Sequence, residues 1–319
     1  AQEVLDAGAD RARPLDGVES KALVYLAAFD LARFDLGFAL GTEHPRLEWS
    51  PRPPAASRDR RLPGPDGFDN AEPLVRTGLI SPRHTSRVVA TFTAGFKRRH
   101  GAFRYGELAQ RNGGSHYGFI ESGVVFSRLQ PGLATLLVLD DGSVRMQTWR
   151  AEDEALLSRV MHARQNGVPI VVPGPADGLP LPGEEVAKWG PGNWSGSAEG
   201  KLRSLRGGAC LQKNGQRRYL IYGYFSSATP SAMARVFQAY GCSYAMKLDM
   251  NALEHTYMAV YHRSADRLEV EHLVDGMSVL DKQADGRVLP RFLGLPDNRD
   301  FFYLLAREAP QNGLRTADR

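Results

Sequence analysis

The stretch 211–255 constrains the fold most, because it carries the signals of a strand, a helix and a second strand in succession. Thr229 is a typical helix N-cap, Pro230 suits the first helical position, and Gly241 stands where a left-handed residue ends a helix. An aromatic, strand-like run precedes the helix, and a short apolar run follows it. This order predicts a βαβ unit near 219–250, with its two strands parallel in one sheet.

The end of the second predicted strand is the first candidate site. Ligands of parallel sheets collect beyond the carboxyl ends of the strands. Asp249, Asn251 and His255 follow that end closely and supply a carboxylate, an amide and an imidazole. We therefore expect a polar site around Asp249.

The composition of the 319 residues argues against several classes of protein. With 42% hydrophobic and 24% charged residues, the chain is typical of a folded soluble protein. No apolar run approaches the roughly 20 residues that a transmembrane helix needs, so we expect no transmembrane segment. The 40 basic and 36 acidic residues give a net charge of +4, spread along the chain. This pattern argues against nucleic acid as a partner and permits an anionic substrate.

The two cysteines, Cys210 and Cys242, exclude a disulfide-rich scaffold and a cysteine-rich zinc site. Because they flank the central unit, one bridge between them is conceivable, but two buried free thiols are the favoured interpretation.

Strand-like runs dominate the remainder, which predicts a mixed α/β or α+β fold with one mixed sheet and a few helices. Residues 22–29 and 34–40 are predicted to form a hairpin, and Asp141-Gly142 and Asn214-Gly215 are typical of two further hairpin turns. Residues 151–166 are predicted to be a helix, because three acidic residues lie in its first turn and a glycine follows it.

No convincing linker divides the chain, so we predict a single domain over residues 21–309. Residues 1–20 are predicted to be a loose N-terminal arm, and residues 310–319 to be a frayed C-terminal tail.

A second candidate site follows the predicted strand 88–92. Gly95 would let the backbone approach a ligand closely, and Lys97 would suit an anion. A tight turn with an exposed lysine explains the same residues equally well. Trp189 and Trp194 lie in a loop rich in proline and glycine, where they could stack on sugars or hold the loop against the protein body. Asn193-Trp194-Ser195 matches a short glycosylation motif.

Several stretches, taken in chain order, resemble the phosphodiester glycosidase family, and most closely a bacterial branch of it. They are residues 91–96, 164–166, 203–204, 229–241, 245–251 and 300–303. Each motif alone is weak, but together they span nearly the whole chain. Thr93 stands where the family has asparagine, and Met250-Asn251 stand where it has two glycines.

The resemblance implies a glycoside hydrolase-like enzyme that cleaves a glycosyl phosphodiester or a related envelope glycan linkage. Such hydrolysis needs carboxylates for acid–base or nucleophilic work, and cations that hold the phosphate. The catalytic candidates are Asp249, His255 and Glu254, with Glu121 as a further partner carboxylate. The substrate-binding candidates are Lys97, Arg203, Asn251, Gly95 and Thr93.

We expect Asp249, Arg203 and Lys97 to converge on one pocket that holds a carbohydrate or glycosyl phosphate. No cofactor is predicted and no metal ligands are assigned, although carboxylates of this kind are compatible with a divalent cation. The family habit and the first residue, Ala1, lead us to expect export to the periplasm or the cell exterior.

The alternative function is a catalytically inactive carbohydrate-binding or scaffold domain of the same fold, since a fold does not fix function. Met250 and Asn251 support this alternative. Glycines there would let a sugar or phosphate lie against the backbone, and these two side chains would fill that space.

Overall fold

A computed structural model describes residues 6–42, 61, 77–97, 117–175, 178–188, 202–265 and 267–307. The strands in chain order are β1 (Val24–Asp30), β2 (Phe34–Ala39), β3 (Val88–Thr93), β4 (Phe119–Glu121), β5 (Val124–Ser127), β6 (Ala134–Leu139), β7 (Val144–Thr148), β8 (Val160–Gln165), β9 (Val171–Val172), β10 (Leu181–Pro182), β11 (Ser204–Asn214), β12 (Arg217–Ala228), β13 (Cys242–Met250), β14 (Met258–Arg263), β15 (Leu268–His272), β16 (Lys282–Ala284), β17 (Arg287–Leu289) and β18 (Phe301–Ala306).

One α-helix, α1 (Pro230–Ala239), lies within these residues. Short 3-10 helices cover Ala9–Arg11, Glu19–Lys21, Pro82–His84, Ala151–Arg159, Leu253–His255 and Asp275–Leu280.

The strands form three larger sheets and one separate hairpin. The first sheet has the order β1-β12-β11-β13-β9-β10, the second β15-β14-β3-β18-β2, and the third β5-β4-β8-β6-β7. β16 and β17 form the hairpin. Neighbouring strands pair antiparallel throughout the described sheets.

Side chains from all three sheets meet in one hydrophobic core, which includes Tyr222 of the first sheet, Phe38 of the second and Phe119 of the third. A second cluster packs α1 onto the first sheet, where the Phe225 and Phe237 rings lie 5.3 Å apart between centroids. The sheets therefore enclose shared apolar interiors, and their ends and connections are left to carry polar sites.

The predicted mixed α/β class with a βαβ unit is wrong. The capping signals are confirmed, because α1 begins after Thr229, whose side chain accepts a hydrogen bond from the Ala232 N–H at 3.2 Å. However, β12 and β13 do not pair with each other, because β11 lies between them and pairs antiparallel with both. The turn at Gly215, with φ +58°, folds β12 directly onto β11. The result is a strand-dominated, sandwich-like arrangement of antiparallel sheets.

Two local predictions also fail for tertiary reasons. β1 and β2 are consecutive but pair with β12 and β18 in different sheets, so they form no hairpin. The predicted helix 151–166 is a 3-10 helix only as far as Arg159, because β8 continues from Val160 as a central strand between β4 and β6. Pairing on both edges of β8 outweighs its weak helical periodicity.

The cysteines are joined, contrary to the favoured prediction of two free thiols. Cys210 of β11 and Cys242 of β13 form a disulfide, and both are fully buried. Antiparallel pairing of these two strands brings the cysteines together, with a Cα–Cα distance of 5.8 Å.

The described part of the predicted N-terminal arm packs against α1. The Arg13 N–H donates to Ser231 Oγ at 3.0 Å, and Arg235 Nη2 donates to the Ala12 carbonyl at 2.9 Å. The tryptophan loop at residues 189–200, with its glycosylation motif, and the predicted tail 310–319 lie outside the described residues.

Candidate functional site

Asp249 lies near the end of β13 and is almost fully buried, with 5% of its side chain exposed. Its Oδ1 accepts the N–H of Met250 at 2.8 Å, and its Oδ2 binds the guanidinium of Arg299. The Asp249 N–H donates to the carbonyl of Ala94 at 3.1 Å, which ties the end of β13 to the residues after β3. Arg299 thus covers the carboxylate that the sequence singled out.

Glu254 and His255 complete this group on the 3-10 helix after β13. Glu254 Oε1 lies 3.6 Å from Nη2 of Arg299 and 2.8 Å from Nε2 of His255. The other ring nitrogen of His255, Nδ1, contacts the carbonyl of Met250. Two carboxylates, of Asp249 and Glu254, therefore share one guanidinium, and the histidine holds the more exposed of the two.

A cavity of about 490 Å³ opens beside this group, and we call it the cation-lined cavity. Four of its lining side chains are basic: Lys97, Lys282, Arg291 and Arg299. The remaining lining residues are Thr42, Glu254, Leu280, Leu295, Pro296, Asp297 and Asn298. The cations outnumber the two carboxylates on its wall, so the cavity favours an anionic ligand.

Arg291 is held in a fixed orientation at the cavity wall. Its Nε donates to Asp297 Oδ2 at 2.7 Å, and its Nη1 donates to the Glu254 carbonyl at 2.6 Å. Asp297 also accepts the Arg299 N–H at 2.8 Å, so one carboxylate links both arginines. A guanidinium fixed in this way binds an incoming oxyanion at little further cost in conformational entropy.

The two carboxyl groups on Arg299 differ in their tendency to ionise. Burial raises the pKa of Asp249, against the opposing charges of Arg299 and His255. Burial acts in the same direction on Glu254, but the hydrogen bond from His255 and the charges of His255, Arg299 and Arg291 together lower the pKa of Glu254. Carboxyl groups whose pKa values are driven apart suit the separate roles of acid and base.

Three predicted binding residues from the β3 end lie close to this group. The Thr93 hydroxyl is fully buried and donates to the Glu254 carbonyl at 3.4 Å, and Lys97 lines the cavity. A Cβ on Gly95 would lie 2.7 Å from Oδ1 of Asn166 and 2.8 Å from Cζ of Arg164. Packing against Asn166 and Arg164 therefore explains why position 95 is a glycine.

Gly95 borders a group that we call the polar core: Arg164, Gln165, Asn166 and Asp300, all fully buried. Arg164 binds Asp300 and the carbonyls of Gln165 and Phe96. Asn166 Nδ2 donates to the carbonyls of Lys247 and Leu248, each at 3.0 Å. These bonds connect β8 in the third sheet to β13 in the first and to the residue before β18 in the second.

The two residues that depart from the family motif have different positions. Met250 is buried, and its Sδ lies 2.9 Å from Nζ of Lys247 and 3.4 Å from Nη1 of Arg206. Asn251 is exposed with φ +81°, a left-handed conformation in which asparagine is tolerated and glycine is favoured. Met250 therefore fills the interior, while Asn251 keeps the backbone turn that the glycine would make.

The structure does not bring Arg203 or Glu121 to the cavity. Arg203 forms an exposed ion pair with Asp16 of the N-terminal segment, and it is absent from the cavity lining. Glu121 Oε2 accepts the N–H of Leu40 at 3.0 Å, where the third sheet meets the second. Of the three residues expected to converge on one pocket, Lys97 lines the cavity, Asp249 binds Arg299 of the cavity wall without lining the cavity itself, and Arg203 lies elsewhere.

Lys282, Arg291 and Arg299 are cavity residues that the sequence did not single out. They lie 33 to 50 positions after Asp249, and no spacing rule links them to it. The one available signal was that Arg299 directly precedes the 300–303 stretch of the family resemblance.

No known protein family and no curated protein matches the chain. Among solved structures, the chain is similar to the catalytic domain of zebrafish N-acetylglucosamine-1-phosphodiester alpha-N-acetylglucosaminidase, auto-inhibited by its pro-peptide. The identity is 11%, the TM-score is 0.44, and the match covers 93% of this chain and 87% of that chain. This is a weak fold-level resemblance. It does not show membership of the phosphodiester glycosidase family or of its bacterial branch.

Two further properties follow from the described residues alone. No helix in the described part of the chain is long and apolar enough to cross a membrane. Within the same residues, no group of three or more His, Cys, Asp or Glu side chains is placed to hold a metal ion.

Proposed function

We propose that this chain is a hydrolase that cleaves a sugar–phosphate linkage, such as a glycosyl phosphodiester, in the cation-lined cavity. One observation carries the proposal: Asp249 and Glu254 share the guanidinium of Arg299 at the wall of a cavity that three more cations line. Paired carboxylates serve glycosidic bond cleavage, and cations hold phosphate oxygens.

The exposures of the side chains support a division of roles. Glu254, with 53% of its side chain exposed, reaches the cavity and acts as the base or nucleophile, while His255 orients its Oε1. Lys97, Lys282 and Arg291 bind the phosphate. Asp249 lies behind Arg299 and serves as the proton donor once Arg299 turns toward the bound phosphate.

The proposal is tested with the methyl phosphodiester of N-acetylglucosamine 1-phosphate, by measuring the free sugar released. We expect Glu254→Gln to lower kcat at least about 100-fold, because the amide can neither accept a proton nor attack carbon. Glu269→Gln is a matched control, since Glu269 is exposed on β15 and does not line the cavity. Equal activity of wild type and Glu254→Gln would contradict the carboxylate role.

Binding without hydrolysis is the second candidate function. The position of Asp249 favours this function, because Asp249 is buried and does not line the cavity. Of the two carboxylates that bind Arg299, Glu254 alone lines the cavity. A wild type that binds the same phosphodiester in calorimetry but releases no sugar would establish a carbohydrate-binding domain. If the wild type neither binds the phosphodiester nor releases sugar from it, both candidate functions are wrong.

We also propose that the protein is exported, to the periplasm or the cell exterior. The buried Cys210–Cys242 disulfide supports this location, because disulfides persist mainly in oxidising compartments. Thiol labelling of denatured protein from each cell fraction tests it. Free thiols in the mature protein would count against export.

A further inference from the structure

The hairpin β16–β17 supplies part of the cavity wall but has little packing of its own. Five of its six strand residues are exposed, and 46% of the Val288 surface is accessible. Isolated two-stranded hairpins are marginally stable in water. The positions of Lys282, in β16, and of Arg291, two residues after β17, therefore depend on how the two ends of the hairpin are held.

Asp281 joins those two ends. It directly precedes β16, only 4% of its side chain is exposed, and its Oδ1 accepts the backbone N–H of Arg291 at 2.9 Å. The same Oδ1 accepts the hydroxyl of Tyr257 at 2.9 Å, and Oδ2 lies 3.0 Å from Nε2 of His272. One carboxylate thus closes the base of the hairpin and fastens it to β15 and to the residue that precedes β14.

Arg291 receives a second set of contacts from the same cluster. Its guanidinium lies 5.3 Å from the centroid of the Tyr257 ring, while its other contacts reach Asp297 and the Glu254 carbonyl. Tyr257 therefore touches both the carboxylate that holds the Arg291 backbone and the guanidinium that faces the cavity.

We propose that Asp281 is a positioning residue for anion binding: with Tyr257 and His272, it holds the ends of the hairpin so that Lys282 and Arg291 converge on the cavity. This role rests on the proposed function for its anionic ligand. The geometry of the hairpin can nevertheless be tested without any substrate.

Amide hydrogen exchange of the unliganded full chain is the first test, with Asp281→Asn as the variant. An asparagine has one acceptor oxygen in place of two, so it cannot accept hydrogen bonds at both the Oδ1 position, which takes the Tyr257 hydroxyl and the Arg291 N–H, and the Oδ2 position beside His272. We expect the hairpin base to loosen. We expect exchange across residues 282–289 to accelerate about tenfold, with β3 and β14 unchanged. Asp275→Asn is the matched control, because Asp275 is exposed in the preceding 3-10 helix. Unchanged exchange over 282–289 would overturn the proposal.

Titration with inorganic phosphate is the second test and has a readout that general destabilisation would not change. We expect Asp281→Asn to weaken phosphate binding about tenfold, and Tyr257→Phe to weaken it less, since it removes one hydrogen bond. In a Lys282→Ala background, Asp281→Asn should weaken phosphate binding by a smaller factor, because Asp281 acts partly by positioning Lys282. Full additivity would overturn the positioning role.

The outcomes for the two proposals are separable. If wild type binds no phosphate while the hairpin exchange responds to Asp281→Asn, the anionic cavity is wrong and Asp281 still holds the hairpin. If phosphate binds and neither readout responds to Asp281→Asn, the cavity stands and the positioning role falls.

Discussion

The polar core and the cation-lined cavity are both rich in charged side chains, yet they use them in opposite ways. In the polar core, Arg164 and Asp300 are fully buried, and Arg164 donates hydrogen bonds to Asp300 and to two backbone carbonyls. At the cavity, Glu254 and Lys282 are exposed, and Arg291 and Arg299, although buried and ion-paired, line open space. The first arrangement connects three sheets, and the second leaves charge available to a ligand.

Burial and pairing distinguish charged residues that stabilise the fold from those that can bind a ligand. Burying a charge costs several kcal/mol unless a partner and hydrogen bonds compensate, so the polar core is explained by structure alone. Residues 164–166 and 300 belong to the stretches that suggested a glycosidase, although they do not line the cation-lined cavity. Arg299 lies between the two regions, because it directly precedes Asp300 in the chain, binds buried Asp249 and lines the cavity.

We expect the greatest loss of stability when the Arg164–Asp300 ion pair of the polar core is disrupted. Asp300→Ala leaves the Arg164 guanidinium buried beside the face of Phe119, 4.1 Å from its centroid, with no carboxylate. We expect the free energy of unfolding to fall by about 3–5 kcal/mol, measured by urea denaturation. The double variant Arg164→Met, Asp300→Leu is the control, because it removes both charges. If Asp300→Ala is at least as stable as the double variant, the Arg164–Asp300 ion pair does not hold the sheets together.

The intermediate effect concerns Arg299, which lies next to Asp300 in the chain and lines the cavity. Arg299→Ala should lower stability by about 2 kcal/mol, since buried Asp249 loses its charged partner. It should also abolish phosphate binding at the cavity, which no substitution in the polar core should do at temperatures below unfolding. Arg263→Ala, an arginine on β14 outside the cavity lining, serves as the control. Retained phosphate affinity in Arg299→Ala would show that the cavity does not depend on this guanidinium.

The smallest effect is the pH dependence of stability at Glu254. Because the pKa of Glu254 lies below its ordinary value of 4.5 in the folded protein, its carboxylate stabilises the fold at pH values above 4.5. That contribution is lost as the pH falls through the lower folded value. Glu254→Gln should therefore be slightly less stable than wild type at pH 7 and equal to it at strongly acidic pH, as measured by thermal unfolding at both pH values. If the stability difference between wild type and Glu254→Gln grew as the pH fell, the ion pairs of Glu254 would not stabilise its carboxylate in the folded protein.

Local elements whose signals act over a few residues could be predicted from the sequence. The Thr229 cap and Pro230 fixed the start of α1, and the hairpin turns at Asp141-Gly142 and Asn214-Gly215 are present between β6 and β7 and between β11 and β12. Capping and turn chemistry depend on neighbours in the chain, so they can be predicted without knowledge of the fold. Asp249 differs from these elements: it was chosen by a rule for parallel strands, which does not apply to antiparallel β13, so its place beside Arg299 does not follow from that pattern.

How these elements combine depends on tertiary contacts and could not be predicted from local patterns. β11 separates β12 from β13, β1 and β2 join different sheets, and residues 160–165 become a strand because β4 and β6 offer backbone partners on both sides. These choices depend on hydrogen bonds between residues far apart in the chain, which no local pattern reports. The same is true of the cavity: Lys97 follows β3, Glu254 precedes β14 and Arg299 precedes β18, and the antiparallel pairing of β3 with β14 and β18 brings these residues to one end of the second sheet.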